Sequence, residues 1–228
     1  MLTLEALTFS RGDFSLSADW SLAKAARCAV LGPSGGGKST LLALIAGFET
    51  PQSGRVLHEG QPMPAQPGAR PLSILFQEAN LFPHLTVAQN VGLGLDPRLQ
   101  LSGTEREKLD AVLSRVGMSE LRSRKPGALS GGQRARTALA RVLLRARPIL
   151  LLDEAFSALG PALKSEMFEL MADTLSSETI LLMVTHDPDE AVRMDQIIVV
   201  DAGCASAPEP AATLLADPPP ALRAYLGT

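Results

Sequence analysis

Nine consecutive residues carry the most specific chemistry in this sequence. Gly32-Pro33-Ser34-Gly35-Gly36-Gly37-Lys38-Ser39-Thr40 fits the spacing G-x-x-x-x-G-K-[ST]. Glycines without Cβ let successive backbone amides turn toward one anion, and a helix start beyond them adds partial positive charge. The Lys38 ammonium is set to reach the β- and γ-phosphates of a nucleotide, and the Ser39 hydroxyl to ligate Mg²⁺. A turn that binds nothing is the plainer alternative. It is disfavoured because Cys28-Ala29-Val30-Leu31 reads as a buried strand before the loop and Leu41, Leu42, Leu44 and Ile45 as a buried helix after it.

Leu150-Leu151-Leu152-Asp153-Glu154 supplies acid to match. An apolar strand ending in two carboxylates is costly unless something uses them. Asp153 suits the magnesium shell and Glu154 the polarisation of a water, which favours nucleotide hydrolysis over storage. A third stretch, Leu129-Ser130-Gly131-Gly132-Gln133, offers a hydroxyl and unobstructed amides at another helix start, a second anion site or a simple cap.

The elements that must position these groups form three blocks. Residues 1–31 read as strands and 51–71, rich in proline, as hairpin and loop. In the middle, Thr104-Glu105-Arg106-Glu107 reads as a capping box, followed by one apolar face of Leu109, Val112, Leu113 and Val116. A second helix is expected from Gly131 to about Arg147, with Ala135, Leu139, Val142 and Leu143 on one side and Arg134, Arg136, Arg141 and Arg145 elsewhere. Strand and helix then alternate: Ile149 to Leu152, a helix opened by Pro161, Ile180 to Val184, a helix capped by Asp187, and Ile197 to Val200. A last short helix is expected around Ala221 to Leu226. The pattern implies an α/β fold with a mostly parallel sheet core, an N-terminal antiparallel β part and an inserted α-helical subdomain. The expected division is 1–77 and 148–228 for the catalytic core and 78–147 for the helical subdomain, within one nucleotide-binding domain.

Composition narrows the partners. The chain has 228 residues with a formal net charge of −3, which argues against an obligate binder of nucleic acid. Aromatics are 4%, too few for base-stacking platforms. Cys28 and Cys204 lack metal-ligand spacing and suggest a reduced compartment. No apolar run is long enough to span a bilayer, and no signal peptide is expected.

With these motifs together, the chain resembles the ATP-binding subunits of ABC transporters over essentially its whole length. The resemblance implies ATP and Mg²⁺ as ligands and a homodimer in which each ATP lies between one subunit's Gly32–Thr40 loop and the other's Ser130-Gly131-Gly132-Gln133. Gln77 looks like the family's Mg²⁺- and water-contacting glutamine, and His186 like its histidine at the γ-phosphate. Phe76-Gln77-Glu78-Ala79-Asn80-Leu81-Phe82-Pro83-His84-Leu85-Thr86-Val87, continuing to Leu95, is similar to the ATPases of Gram-negative thiamine importers. That implies an integral-membrane thiamine permease as partner, a periplasmic thiamine-binding protein indirectly, and a peripheral position on the cytoplasmic face of the inner membrane. Importers of other small solutes and non-transport ATPases of the same family are the alternatives. Three positions depart from the family pattern. Ala155 stands where Pro follows the glutamate and Gly160 where Asp is usual. Near Arg11, where an adenine-stacking aromatic is expected, only Arg11 itself, Phe9 or Phe14 could serve.

Overall fold

The structure, a computed structural model, describes residues 1–77, 80–219 and 222–223. In chain order the elements are β1 (Leu2–Arg11), β2 (Phe14–Leu22), β3 (Arg27–Leu31), α1 (Lys38–Ala46), β4 (Ser53–His58), β5 (Gln61–Pro62), β6 (Leu72–Phe76), α2 (Val87–Gly92), α3 (Gly103–Arg115) and α4 (Gly131–Arg145). There follow β7 (Ile149–Asp153), α5 (Pro161–Thr174), β8 (Ile180–Val184), α6 (Pro188–Ala191), β9 (Gln196–Asp201), β10 (Cys204–Ala205), β11 (Glu209–Pro210) and α7 (Ala211–Ala216). They group into two compact units. The first is Met1–Leu72, Pro148–Glu154 and the described part of Glu178–Thr228; the second is Ser73–Arg147 with Ala155–Ser177.

The first unit is built on a sheet ordered β5-β4-β1-β2-β10-β9-β3-β8-β7. Its β9-β3-β8-β7 half is parallel, and its β1, β2 and β4 part antiparallel, as the sequence pattern implies. Every residue of β8 and the first four of β7 are buried, the continuous apolar run expected of strands covered on both faces. Register matters for function. Val184 pairs with both Val30 and Asp153, so β3, β7 and β8 end together. Whatever follows Leu31, Asp153 and Val184 therefore emerges at one edge of the sheet, where open α/β sheets bind ligands.

Helix α1 begins at Lys38, two residues before the Thr40 start that the sequence suggests, and is closed after Ala46 by Gly47, whose φ of 83° makes a left-handed cap. Its last carbonyls also receive the buried Arg70. The Arg70 guanidinium donates to Leu44 O at 2.7 Å, to Ile45 O at 2.5 Å and to Pro64 O at 2.8 Å. Burial lowers its pKa, though these carbonyls and the negative end of the helix suit a cation.

In the second unit, α2, α3 and α4 bury a core that includes Val87, Val91, Leu109, Leu113, Val116 and Leu144. The cap of α3 differs from expectation. Ser102, not Thr104, is the N-cap, and its partner is Glu105, which accepts from the Ser102 backbone N–H at 2.8 Å. Two S/T-x-x-E frames overlap at residues 102–107, and the earlier one adds Gly103 and Thr104 to the helix. Buried Asn90 organises the loop before α2: it accepts from Phe82 N and donates to the carbonyls of Phe82, Leu85 and Thr86. Helix α4 ends at Arg145, short of Arg147, because Ala146 turns left-handed at φ 48°. The strands β10 and β11 are absent from the sequence reading, and the tail helix expected over 221–226 lies, but for Leu222 and Arg223, outside the described residues.

Candidate nucleotide-binding site

The loop between β3 and α1 is shaped by close approach. Gly32 has φ 145°, and a Cβ there would fall 2.0 Å from Val200 O of β9. Gly37 has φ 108°, and its Cβ would meet Phe14 Cζ at 2.8 Å and Leu16 Cδ1 at 3.3 Å. Glycine is required at both positions for space as well as for conformation. Gly37 is also the N-cap of α1, so no side chain caps that helix and its first turn carries no acid. The helix start is thus shaped for an anion supplied from outside.

Lys38 is buried and folds back along the loop, its Nζ donating to Gly32 O at 2.7 Å and Pro33 O at 3.0 Å. Burial lowers its pKa, and the carboxylates of Glu154 and Asp153 oppose that shift. Ser39 is exposed at the mouth and donates from Oγ to Asp153 Oδ1 at 3.2 Å. Burial raises the Asp153 pKa; the Ser39 hydrogen bond pulls it down, Glu154 pushes it up, and Lys38 pulls it down again. Ser39 Oγ and Asp153 Oδ1 are hard oxygen donors side by side. Among the described residues no group of three or more His, Cys, Asp or Glu could form an all-protein metal cage. Two protein oxygens beside a phosphate-binding loop are what a magnesium–nucleotide complex needs, because Mg²⁺ keeps most of its shell for waters and phosphates.

Glu154 follows β7 in the left-handed region, at φ 49°, and its N–H is held by Val184 O at 3.0 Å. A non-glycine residue there stores about 1–3 kcal/mol, a cost met at sites that need a fixed aim. Its Oε2 lies 3.5 Å from His186 Nδ1, with Glu154 half-buried and His186 exposed. The turn bearing His186 has its own brace, which the sequence reading missed. Thr185 Oγ1 donates to buried Glu190 at 2.5 Å and accepts from Asp187 N at 3.0 Å, while Asp187 caps α6. The available signal was a threonine directly after a buried strand with an acid five residues on.

The structure therefore brings Gly32, Pro33, Ser34, Gly35, Gly36, Gly37, Lys38, Ser39, Thr40, Asp153, Glu154 and His186 together in the first unit. Gln77 and Ser130–Gln133 belong to the second. Gln77 is exposed just after β6. Ser130 Oγ accepts from Gln133 N at 3.3 Å and Gln133 Oε1 from Ser130 N at 3.0 Å, a reciprocal cap on α4. Gly132 sits under Leu163, whose Cδ2 would lie 2.5 Å from a Cβ there and would have to shift. At Gly131 a Cβ would find nothing nearer than Arg134 Nη2 at 3.9 Å. Of the three adenine-stacking candidates, Arg11 lies over the Phe9 ring at 5.4 Å and pairs with Glu49 at 2.5 Å; Phe14 stands against the loop at Gly37.

The family described as ABC transporter matches residues 16–157, more than half of the chain. The chain belongs to the ABC transporter family. As a member of that family it is an ATPase, and its mixed sheet with helices is the ABC ATPase fold. It is similar to a thiamine import ATP-binding protein of Cereibacter sphaeroides, 56% identical over 100% of both chains, and to one of Ruegeria sp., 53% identical over 100% of both. Among solved structures it is similar to the ABC-type ATP-binding cassette MJ0796, in a dimeric post-hydrolysis state bound to ADP and Pi. The TM-score is 0.78 and the identity 28%, covering 92% of this chain and 99% of that one. No helix among the described residues is long and apolar enough to cross a membrane.

Proposed function

We propose that this ABC ATPase energises uptake of thiamine or its phosphates through a partner permease. In that reading it works as a homodimer on the cytoplasmic face of the inner membrane, with a periplasmic thiamine-binding protein delivering the solute. The observation that carries the catalytic part is the convergence of Lys38, Ser39, Asp153, Glu154 and His186 at one sheet edge. The thiamine part rests on full-length similarity to two proteins named for thiamine import.

In this mechanism the Gly32–Thr40 amides and Lys38 hold the β- and γ-phosphates, and Lys38 offsets charge that grows on them during transfer. Ser39 and Asp153, with Gln77, would hold Mg²⁺, which would supply positive charge to offset that of the phosphates. Glu154 accepts a proton from the attacking water, and His186, 3.5 Å from it, orients that carboxylate and the γ-phosphate. Ser130, Gly131, Gly132 and Gln133 of the second subunit close over the same γ-phosphate. The open space at Gly131, unused by this chain's own packing, supports that role.

Reconstitution with a thiamine permease and its binding protein tests the reading. Labelled thiamine should enter vesicles only with ATP and the binding protein, and unlabelled thiamine should compete. Uptake of another solute with no competition by thiamine would replace the substrate while leaving the ATPase reading intact.

A further inference from the structure

Helix α5 starts six residues after the Glu154-Ala155 step and is fastened to what precedes it. Buried Phe156 packs edge-to-face on Phe168 of α5, with ring centroids 5.7 Å apart. The Leu159 N–H bonds Phe156 O at 3.0 Å and the Lys164 N–H bonds Gly160 O at 3.0 Å. These contacts tie the segment from Phe156 to the start of α5.

The same helix meets the start of α4 at two points. Leu163 fills the space over Gly132, where even a methyl group would fall 2.5 Å from its Cδ2. One turn on, Glu166 accepts from Arg136 Nη2 at 2.6 Å, with both side chains partly buried. Residues 163 and 166 share a face of α5, and 132 and 136 share a face of α4, so both contacts act on one seam. The first turn of α4 has its own side-chain braces. Arg134 Nη1 donates to Leu129 O at 2.7 Å, and buried Thr137 bonds Gln133 O at 2.7 Å. A turn braced in this way moves with the helix start, and α5 packs on that start.

We infer that α5 is a strut, with Leu163, Glu166 and Arg136 as positioning residues, that sets the aim of the Ser130–Gly132 turn. In the dimer that turn serves the nucleotide of the other subunit, so the strut acts on closure of the pair rather than on nucleotide binding by the monomer. This rests on the reading above, in which that turn closes on the partner subunit's ATP.

The test uses the full chain in a Glu154→Gln background, which arrests hydrolysis. Dimerisation in saturating Mg²⁺-ATP is followed by sedimentation, and affinity of the monomer for a fluorescent ATP analogue is measured beside it. Arg136→Glu and Glu166→Arg should each weaken ATP-driven dimerisation at least tenfold, the double exchange should restore most of it, and monomer affinity should stay within twofold. Leu163→Ala, which removes the packing contact without touching charge, should weaken dimerisation in the same way and serves if either charge variant fails to fold. Unimpaired dimerisation in these variants, a double exchange no better than the singles, or a parallel loss of monomer affinity would overturn the strut. Failure of the Glu154→Gln parent itself to dimerise would overturn the underlying reading instead.

Discussion

Ser39 Oγ and Asp153 Oδ1, 114 residues apart in sequence, meet at 3.2 Å, joining the first turn of α1 to the end of β7. The contact needs the register in which Asp153 and Val30 flank Val184, so sheet pairing sets the separation of the two oxygens. Replacing either group should act on the metal before it acts on the nucleotide. Ser39→Ala is expected to raise the Mg²⁺ concentration needed for half-maximal ATPase activity about tenfold or more, with nucleotide affinity in EDTA little changed. Titration of activity with Mg²⁺ measures this, and an unchanged metal requirement would remove Ser39 from the shell.

Asp153 also predicts a pH effect on stability. Burial raises its pKa in the folded protein above the unfolded value, so the folded state favours the protonated acid. The stability this contributes is full below the ordinary aspartate pKa and is lost as pH rises through the folded value. At neutral pH the ionised carboxylate therefore costs stability. Asp153→Asn should melt higher than the parent without nucleotide at pH 7, and the advantage should shrink toward pH 4. Melting curves at the two pH values decide it. In Mg²⁺-ATP the order should reverse, because the parent alone gains from the metal.

Glu154 is held at φ 49° with His186 3.5 Å from its carboxylate. Glu154→Gln keeps the shape and removes the base. Hydrolysis should fall by about 10²–10⁴-fold, while ATP binding persists and dimers accumulate. Turnover and sedimentation on the same sample check both halves; a variant that stays monomeric in saturating ATP contradicts the shared-nucleotide scheme.

Gly160 is the N-cap of α5 and makes no side-chain cap, with Pro161 at the first helical position. An aspartate there could accept from the second or third amide of the helix. Gly160→Asp should stabilise the chain by only a few tenths of a kcal/mol, because glycine is already a tolerable cap. Any larger consequence belongs to catalysis. With Ala155→Pro it should raise the ATPase rate of the assembled transporter, and unchanged rates would show that neither departure slows this subunit.

The two cysteines should separate chemically. Cys28 is fully buried in β3 and burial pushes its thiol up to about 12, whereas Cys204 is exposed in β10. A thiol reagent should modify one cysteine in the native protein and two in denaturant. Two native equivalents would mean that β3 opens far more readily than its neighbours allow.

What could be read from residues alone was whatever is local. The Gly32–Thr40 loop, the acid pair at the end of β7 and the Ser130 turn each carry their chemistry within a few positions, and flanking apolar runs disclose the elements beside them. What escaped depends on distant partners. Arg70 bonds three carbonyls, and carbonyls have no sequence signature. Phe14 touches Gly37 only because β2 folds back beside the loop. Strands β10 and β11, two residues each, are too short to show a period of two. At α3 the choice between Ser102 and Thr104 was ambiguous because two equivalent capping frames overlap, and only the packed helix discriminates between them.

Arg70 gives the proline-rich stretch between β5 and β6 a significance its composition hides. That stretch looks like spacer, the first place an engineer would trim or exchange when building chimaeras among related subunits. Yet it carries the bolt that secures the tail of the helix whose head is proposed to grip the nucleotide. A graft that discards Arg70 while leaving every phosphate-binding residue in place would inherit an intact grip on a loosened handle.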